Sequence, residues 1–424
     1  MAVSSTPRPR RKSQSALSAT RIEKDLLGAR ELPADALYGI HTVRAIENLR
    51  FSGRSLRDYP DYIRALAIAK KAAARANRDA RVIDARRQGA IEYACDLLIR
   101  GEHLAEFPVD MLSGGGSIAI NMNLNEVVAN LAGEYLGATR GTYKAVHPKL
   151  HVNASQSTAD VCHTAIRMTV LDCWRGLKRA LDRCVTAFRD RAAKLRPVIT
   201  IARTCLQDAS RVSLGEIFDA HADAIARRTR ELQLSVRALT QINIGGTATG
   251  SGSGASAIYR RTIVKHLNEV ARLKLTLRRN LYDAAQNIDD LAAVSAQLGL
   301  LAEVLIKVAQ DLRLLASGPQ AGFGEIILPA VHEGSSIFPG KINPAIPETM
   351  IQCCFQVLGC ERAARLALER GELNLNVFEG TAAVNIFDGL AMLQHAIELF
   401  SDRCVGGIVA NRKRCRQLAA LARY

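Results

Sequence analysis

Apolar side chains recur in steps of three and four along most of this chain. The clearest run is Leu291, Val294, Leu298, Leu301, Leu305, Val308, Leu312 and Leu315. This heptad-like seam predicts a long helix packed into a bundle. Gly318-Pro319 ends it. A second long helix is predicted to run toward Leu195, because Trp174, Leu177, Leu181, Val185, Phe188, Ala192 and Leu195 keep the same step. Pro197 stops it. Shorter helical patterns cover Tyr62 to Asn77, Arg86 to Phe107, and the region after Pro347-Glu348 as far as Leu368. The expected fold class is all-α.

Composition supports that reading. Hydrophobic residues make up 48% of the 424 residues and aromatics only 5%, with Ala, Leu and Arg abundant. Such a chain can bury a large core of helices packed on helices. The net charge of +16 raises the question of nucleic acid. The cations are interleaved with acidic residues, and no zinc-finger, RRM or helix-turn-helix spacing is present. Nucleic-acid binding is therefore not expected, and electrostatic steering of a small dianion accounts for the charge. None of the ten cysteines forms a C-x-x-C pair. Cys95, Cys162, Cys173 and Cys184 sit inside helical patterns, so a reducing, cytoplasmic setting is expected. No apolar run is read as long enough to span a membrane, and the basic N-terminus lacks the apolar stretch of a secretory signal.

One segment departs from helical grammar. Gly334-Ser335-Ser336-Ile337-Phe338-Pro339-Gly340-Lys341-Ile342-Asn343-Pro344 holds two glycines and two prolines in eleven residues. It must be a loop, with a plain turn or linker as the simplest reading. It also carries two hydroxyls, an ammonium and an amide that could converge on one small polar ligand. Lysine and asparagine supply donors suited to a carboxylate. A second glycine-rich stretch, Gly245 to Gly254, lacks the Gly-Lys-Ser/Thr ending of a P-loop and the preceding strand of a Rossmann fingerprint.

In its order of residues the first loop resembles the GSSxxPxKxN signature of the aspartase/fumarase superfamily. Other stretches extend the resemblance from about Arg21 to Arg414. Gly114 to Asn130 resembles the family's first active-site region, where Gly-Thr-Ser normally stands at Ser117, Ile118 and Ala119. His151-Val152-Asn153-Ala154-Ser155-Gln156-Ser157-Thr158-Ala159-Asp160 resembles HVNxSQSxND, with Ala159 in place of an asparagine. Thr204-Cys205-Leu206-Gln207-Asp208-Ala209 resembles T-H-x-Q-D-A, with Cys205 at the His or Gln position. Cys205 itself is read as a small buried hydrophobe. Asp160, at the start of a helix, is read as mainly structural. Gly245-Gly246-Thr247-Ala248 resembles the family's GGTA turn. The opening Arg21–Gly28 and Pro33–Asn48 stretches, and Asn374-Leu375-Asn376-Val377-Phe378-Glu379, point to the aspartase branch.

The resemblance implies a carbon–nitrogen lyase that eliminates ammonia from L-aspartate to give fumarate. It implies Ser335 as general base, with Lys341 and Asn343 gripping one substrate carboxylate. Ser336, Ser157, Thr158 and Thr204 would hold the other. Ile118, Ala159 and Cys205 are altered positions. They leave open a lyase acting on another substituted succinate, or a silent paralogue serving as a structural subunit. Neither a cofactor nor a metal is implied. A homotetramer is expected, its sites built from several subunits around long central helices. The expected organisation is a disordered basic tail over 1–20, for which a polybasic docking site is the alternative, then an N-terminal lyase domain over 21–157. A long-helix domain follows over 158–412, and 413–424 is the remnant of a truncated C-terminal domain.

Overall fold

The computed structural model describes residues 19–422. The expected tail lies outside the described residues up to residue 18, and Thr20 already opens the first strand. Strands β1 (Thr20–Asp25) and β2 (Gly28–Pro33) pair antiparallel. Four helices follow: α1 (Ile40–Leu49), α2 (Pro60–Asp79), α3 (Ala85–Ile99) and α4 (Ile118–Tyr135). Helix α3 is shorter than its apolar pattern predicts. Gly101 takes φ +83° just past its end, which releases the chain from the helix. The buried Glu126 of α4 ties this layer together. Its carboxylate accepts from the Gly39 and His41 amides at 2.8 Å and from Thr42 Oγ1 at 2.7 Å, satisfying donors at the start of α1.

The rest of the chain is built on α5 (Thr158–Leu195), whose 38 residues span about 57 Å at 1.5 Å per residue. A hairpin of β3 (Ile199–Thr204) and β4 (Gln207–Ser213) turns the chain into α6 (Leu214–Ala238). Smaller elements follow: β5 (Gln241–Ile242), α7 (Ala257–Ala271), β6 (Thr276–Leu277) and α8 (Leu281–Gln286). Then come α9 (Asp289–Leu315), β7 (Ile326–Ile327), α10 (Ala345–Glu369), α11 (Glu379–Arg403), β8 (Val409–Ala410) and α12 (Arg412–Ala419). Helix α10 packs on both α9 and α11, α5 on both α6 and α11, and α6 on α9. The five long helices α5, α6, α9, α10 and α11 thus form one up-and-down bundle. All eight residues of the seam on α9 are buried in it.

That burial corrects one reading of the sequence. Asp289–Leu315 is long and apolar enough to cross a membrane by length and composition. A central bundle helix meets the same test, and here neighbouring helices bury the eight seam residues.

The bundle has two chemically distinct ends. At one, Arg167 near the start of α5 forms a buried bidentate pair with Asp290 at the start of α9, at 2.7 and 2.8 Å. At the other, beyond the end of α9, the completely buried Glu325 accepts from Thr200 and Arg203 of β3. There β7 pairs with β8, and α12 packs on β3.

Candidate functional site

The loop Gly334–Pro344 leaves the second end of the bundle, between β7 and α10. Its neck is tight: a Cβ on Gly334 would come within 2.2 Å of the Lys341 carbonyl oxygen, so the crossing requires glycine. Asn343 Nδ2 donates to the Gly334 carbonyl at 2.5 Å and closes the loop. Within it, Ser335 Oγ accepts from the amides of Ile337 at 3.2 Å and Phe338 at 2.9 Å. Two amides aimed at one hydroxyl oxygen favour any negative charge that develops there. Ser336 and Lys341 are exposed. The Lys341 ammonium makes no hydrogen bond to Ser335 among the described residues. The loop borders a cavity of about 590 Å³ whose polar lining includes Arg313, Ser317, Lys341, Asn343, Glu348 and Asn411.

Ser157, Thr158 and Asp160 stand at the first end. Ser157 is the N-cap of α5: its Oγ accepts from the Ala159 amide at 3.3 Å, and its own amide donates to Asp160 Oδ1 at 2.9 Å. This capping box fixes the entry to the helix. Asp160 Oδ2 also accepts from the Gly245 and Thr247 amides at 2.9 and 3.1 Å, which seats the glycine-rich turn against the Ser157–Thr158 corner. Burial pushes the Asp160 carboxyl up to about 6, against the pull of those amides. Its hydrogen bonds go to the helix entry and to the glycine-rich turn. Thr158 Oγ1 accepts from Asn121 Nδ2 at 3.0 Å. Ile118, the first residue of α4, is 55% exposed, whereas Ala159 is buried. Near Ile118, a Cβ on Gly116 would meet Val377 at 3.5 Å, and Val377 and Phe378 are partly exposed, so this corner carries an apolar rim.

Thr204 and Cys205 lie at the tip of the β3–β4 hairpin, at the second end. Cys205 is exposed, which overturns its reading as a buried hydrophobe. The reason is the turn: Cys205 and Leu206 connect two paired strands with φ of +51° and +59°, a two-residue link that projects into solvent.

The chain therefore brings Ser157, Thr158, Ile118 and Ala159 together at one end. Thr204, Cys205, Ser335, Ser336, Lys341 and Asn343 stand at the other. The length of α5, about 57 Å, lies between them. No described residue bridges the two sets, and none of Ser157, Thr158 or Thr204 lines the cavity at the loop. Sequence reasoning missed two buried titratable groups beside the first set. Lys70 of α2 is buried within an alanine-rich stretch, and its ammonium donates to Asn153 Oδ1, which also accepts from Asn121 Nδ2. The signal available was a lysine on the apolar face of α2. Glu379, at the start of α11, is also buried, and burial pushes its carboxyl up to about 7.

Comparison with known proteins gives the family. Residues 28–359 match the family model described as Lyase. The aspartate ammonia-lyase of Pseudomonas aeruginosa is 43% identical over 405 residues, which cover 95% of this chain and 85% of the relative. That of Escherichia coli is 38% identical over 396 residues, covering 93% and 83%. Among solved structures, the fumarate lyase:delta crystallin of Brucella melitensis bound to cobalt superposes with a TM-score of 0.93 at 42% identity, covering 94% of this chain and 87% of that one. The class II fumarase of Schistosoma mansoni gives 0.90 at 27% identity, with the same coverage. With its family model matched over most of its length and the curated relatives aligned over 93–95% of it, the chain belongs to the aspartase/fumarase lyases, on their aspartate ammonia-lyase branch.

Proposed function

We propose that this protein is a carbon–nitrogen lyase that eliminates ammonia from L-aspartate to give fumarate. The observation that carries the reading is the loop Gly334–Pro344, in which two backbone amides point at Ser335 Oγ. It stands beside relatives named aspartate ammonia-lyase at 38–43% identity.

The chemistry sets the demands. The proton to be removed sits on a carbon next to a carboxylate, so its loss leaves a second negative charge on that group. An ordinary serine is too weak a base for this step. Amides that stabilise its oxyanion, together with a loop that closes over the substrate and expels water, make it competent. In this reading Ser335 takes the proton. Lys341 and Asn343 hold the carboxylate that accumulates charge, where one fixed donor is typically worth roughly 3–4 kcal/mol. Ser336, Ser157, Thr158 and Thr204 hold the other carboxylate. The amine then leaves from the neighbouring carbon.

One chain cannot meet these demands by itself, because the two groups of residues occupy opposite ends of α5. Antiparallel association of copies through their long helices would bring one chain's loop to another's Ser157–Thr158 corner. This supports a homotetramer with composite sites. The exposed apolar Ile118 favours one secondary reading, a substituted succinate with an apolar group near that corner.

The test is ultraviolet detection of fumarate from purified protein and L-aspartate, with Ser335→Ala as control. Fumarate from the parent alone establishes the lyase. None from a folded, assembled protein overturns the aspartate reading and moves the search to other succinates.

A further inference from the structure

Lys70 is wholly buried, an unusual place for an ammonium. Its Nζ donates to Asn153 Oδ1 at 2.9 Å. The same oxygen accepts from Asn121 Nδ2 at 3.0 Å and Asn125 Nδ2 at 3.2 Å. The second hydrogen of Asn121 Nδ2 goes to Thr158 Oγ1 at 3.0 Å. The Oδ1 atoms of Asn121 and Asn125 are buried and have no protein partner.

Each link in this chain has a direction. An ammonium can only donate, so Asn153 must turn its oxygen, not its nitrogen, toward Lys70. Asn121 must then present its NH2 group to that oxygen, and the same group meets Thr158. Thr158 Oγ1 is thereby an acceptor toward the protein interior, and its hydroxyl hydrogen is left to point outward. Among the described residues Thr158 donates to no protein group. A neutral side chain at position 70 would remove the constraint. The amides could then flip, because the unpartnered Asn121 Oδ1 would gain the Thr158 hydroxyl as a donor. Asn153 Nδ2 also donates to the Gln156 carbonyl at 3.1 Å, a neutral bond that favours the same orientation more weakly than the ammonium does, so without Lys70 the Asn153 and Asn121 amides can turn together.

We propose that Lys70 is a positioning residue that sets the polarity of a Lys70–Asn153–Asn121–Thr158 relay, so that Thr158 offers its proton to a substrate carboxylate. The inference rests on the reading of Thr158 as a carboxylate holder. Burial draws the Lys70 ammonium down to about 8, while Asp160 nearby favours its charge. It therefore remains largely a donor-only group at neutral pH.

The test is a double-mutant cycle on the full-length protein with succinate, a dicarboxylate that cannot be eliminated, as the calorimetric ligand. Lys70→Met is expected to weaken succinate binding about tenfold in the parent background, the effect of one lost hydrogen bond to a charged group. In a Thr158→Val background it is expected to change binding by less than about twofold, because the group it positions is gone. Equal losses in both backgrounds would overturn the relay and leave Lys70 a general structural role. So would undiminished binding by Lys70→Met. If Lys70→Met does not fold, Lys70→Arg and Lys70→Gln replace it. A guanidinium also only donates and should keep affinity within about threefold, whereas the glutamine amide, which can turn either way, should lose about tenfold. Equal affinity of these two variants would overturn the relay. A parent that binds succinate without forming fumarate from aspartate would sink the lyase reading alone, and the cycle would still decide the relay. A parent that binds no succinate would remove the relay itself.

Discussion

Arg203 Nη1 donates to the Glu325 carboxylate at 2.6 Å, and Glu325 is completely buried. The pair ties the hairpin that carries Thr204 to the segment leading into the Gly334–Pro344 loop. Arg203 also lies over the Phe323 ring, 4.1 Å from its centre. Removing one partner strands a buried charge, so Arg203→Met should destabilise the protein by roughly 3 kcal/mol. Adding Glu325→Gln should restore most of the loss. Chemical denaturation of the three variants measures both effects, and equal destabilisation by single and double variants would refute the coupling.

Ser335→Ala should abolish fumarate formation without altering the melting temperature or the assembly state. Its Oγ bonds only to two amides of an exposed loop, so little stability depends on it. Retained turnover in the alanine variant would exclude Ser335 as the base.

Ile118→Thr should raise turnover on L-aspartate. Ile118 is more than half exposed at the first turn of α4, so the change leaves the core intact, and it restores a hydroxyl beside the Ser157–Thr158 corner. A regained hydrogen bond of about 1–2 kcal/mol corresponds to a five- to thirtyfold gain in kcat/KM. Steady-state kinetics with an intact fold and no gain would show that the corner differs by more than this hydroxyl.

Glu379→Gln should stabilise the protein in a pH-dependent way. Burial raises the Glu379 carboxyl from 4.5 to about 7 in the folded state, and its Oε2 has no partner. The folded state therefore holds this proton more tightly than the unfolded chain does. The contribution is fully favourable below about pH 4.5 and is lost as pH rises through 7. The glutamine variant should match the parent near pH 4.5 and exceed it by roughly 3 kcal/mol at pH 8. Unfolding curves at the two pH values test the sign, and a difference that shrinks with rising pH would contradict it.

Leu206→Gly should stabilise the β3–β4 hairpin. Leu206 is 69% exposed, so little packing is lost. Its φ of +59° is unfavourable for a side chain by about 1–2 kcal/mol. After the added entropy of glycine in the unfolded chain, a net gain of about 0.5–1 kcal/mol is expected. A lower melting temperature would mean that the leucine packs on something outside this chain.

Local chemistry was enough for much of this protein. The three-and-four steps ending at Leu195 and Leu315 determined two long bundle helices, because helical periodicity is a property of neighbouring residues and needs no tertiary knowledge. Pro197, Gly318 and the Gly334–Pro344 segment marked their own breaks for the same reason. The order of residues in that loop, and in the Ser157–Asp160 stretch, was enough to indicate the family. Gly101, which closes α3 early, was equally local and was overlooked.

Tertiary structure alone decided the rest. Cys205 looked like a buried thiol until the pairing of β3 with β4 placed it at a hairpin tip, and strand pairing is a long-range contact. Lys70 stands on the apolar face of α2 in the sequence, but that it donates to Asn153 appears only once α4 and the Asn153 loop pack over it. The separation of Thr158 from Ser335 by the whole length of α5 follows from the direction in which each bundle helix runs. Motifs list the groups of a site without saying which end of a rigid 38-residue helix each occupies, and only the packing of the bundle supplies that distance.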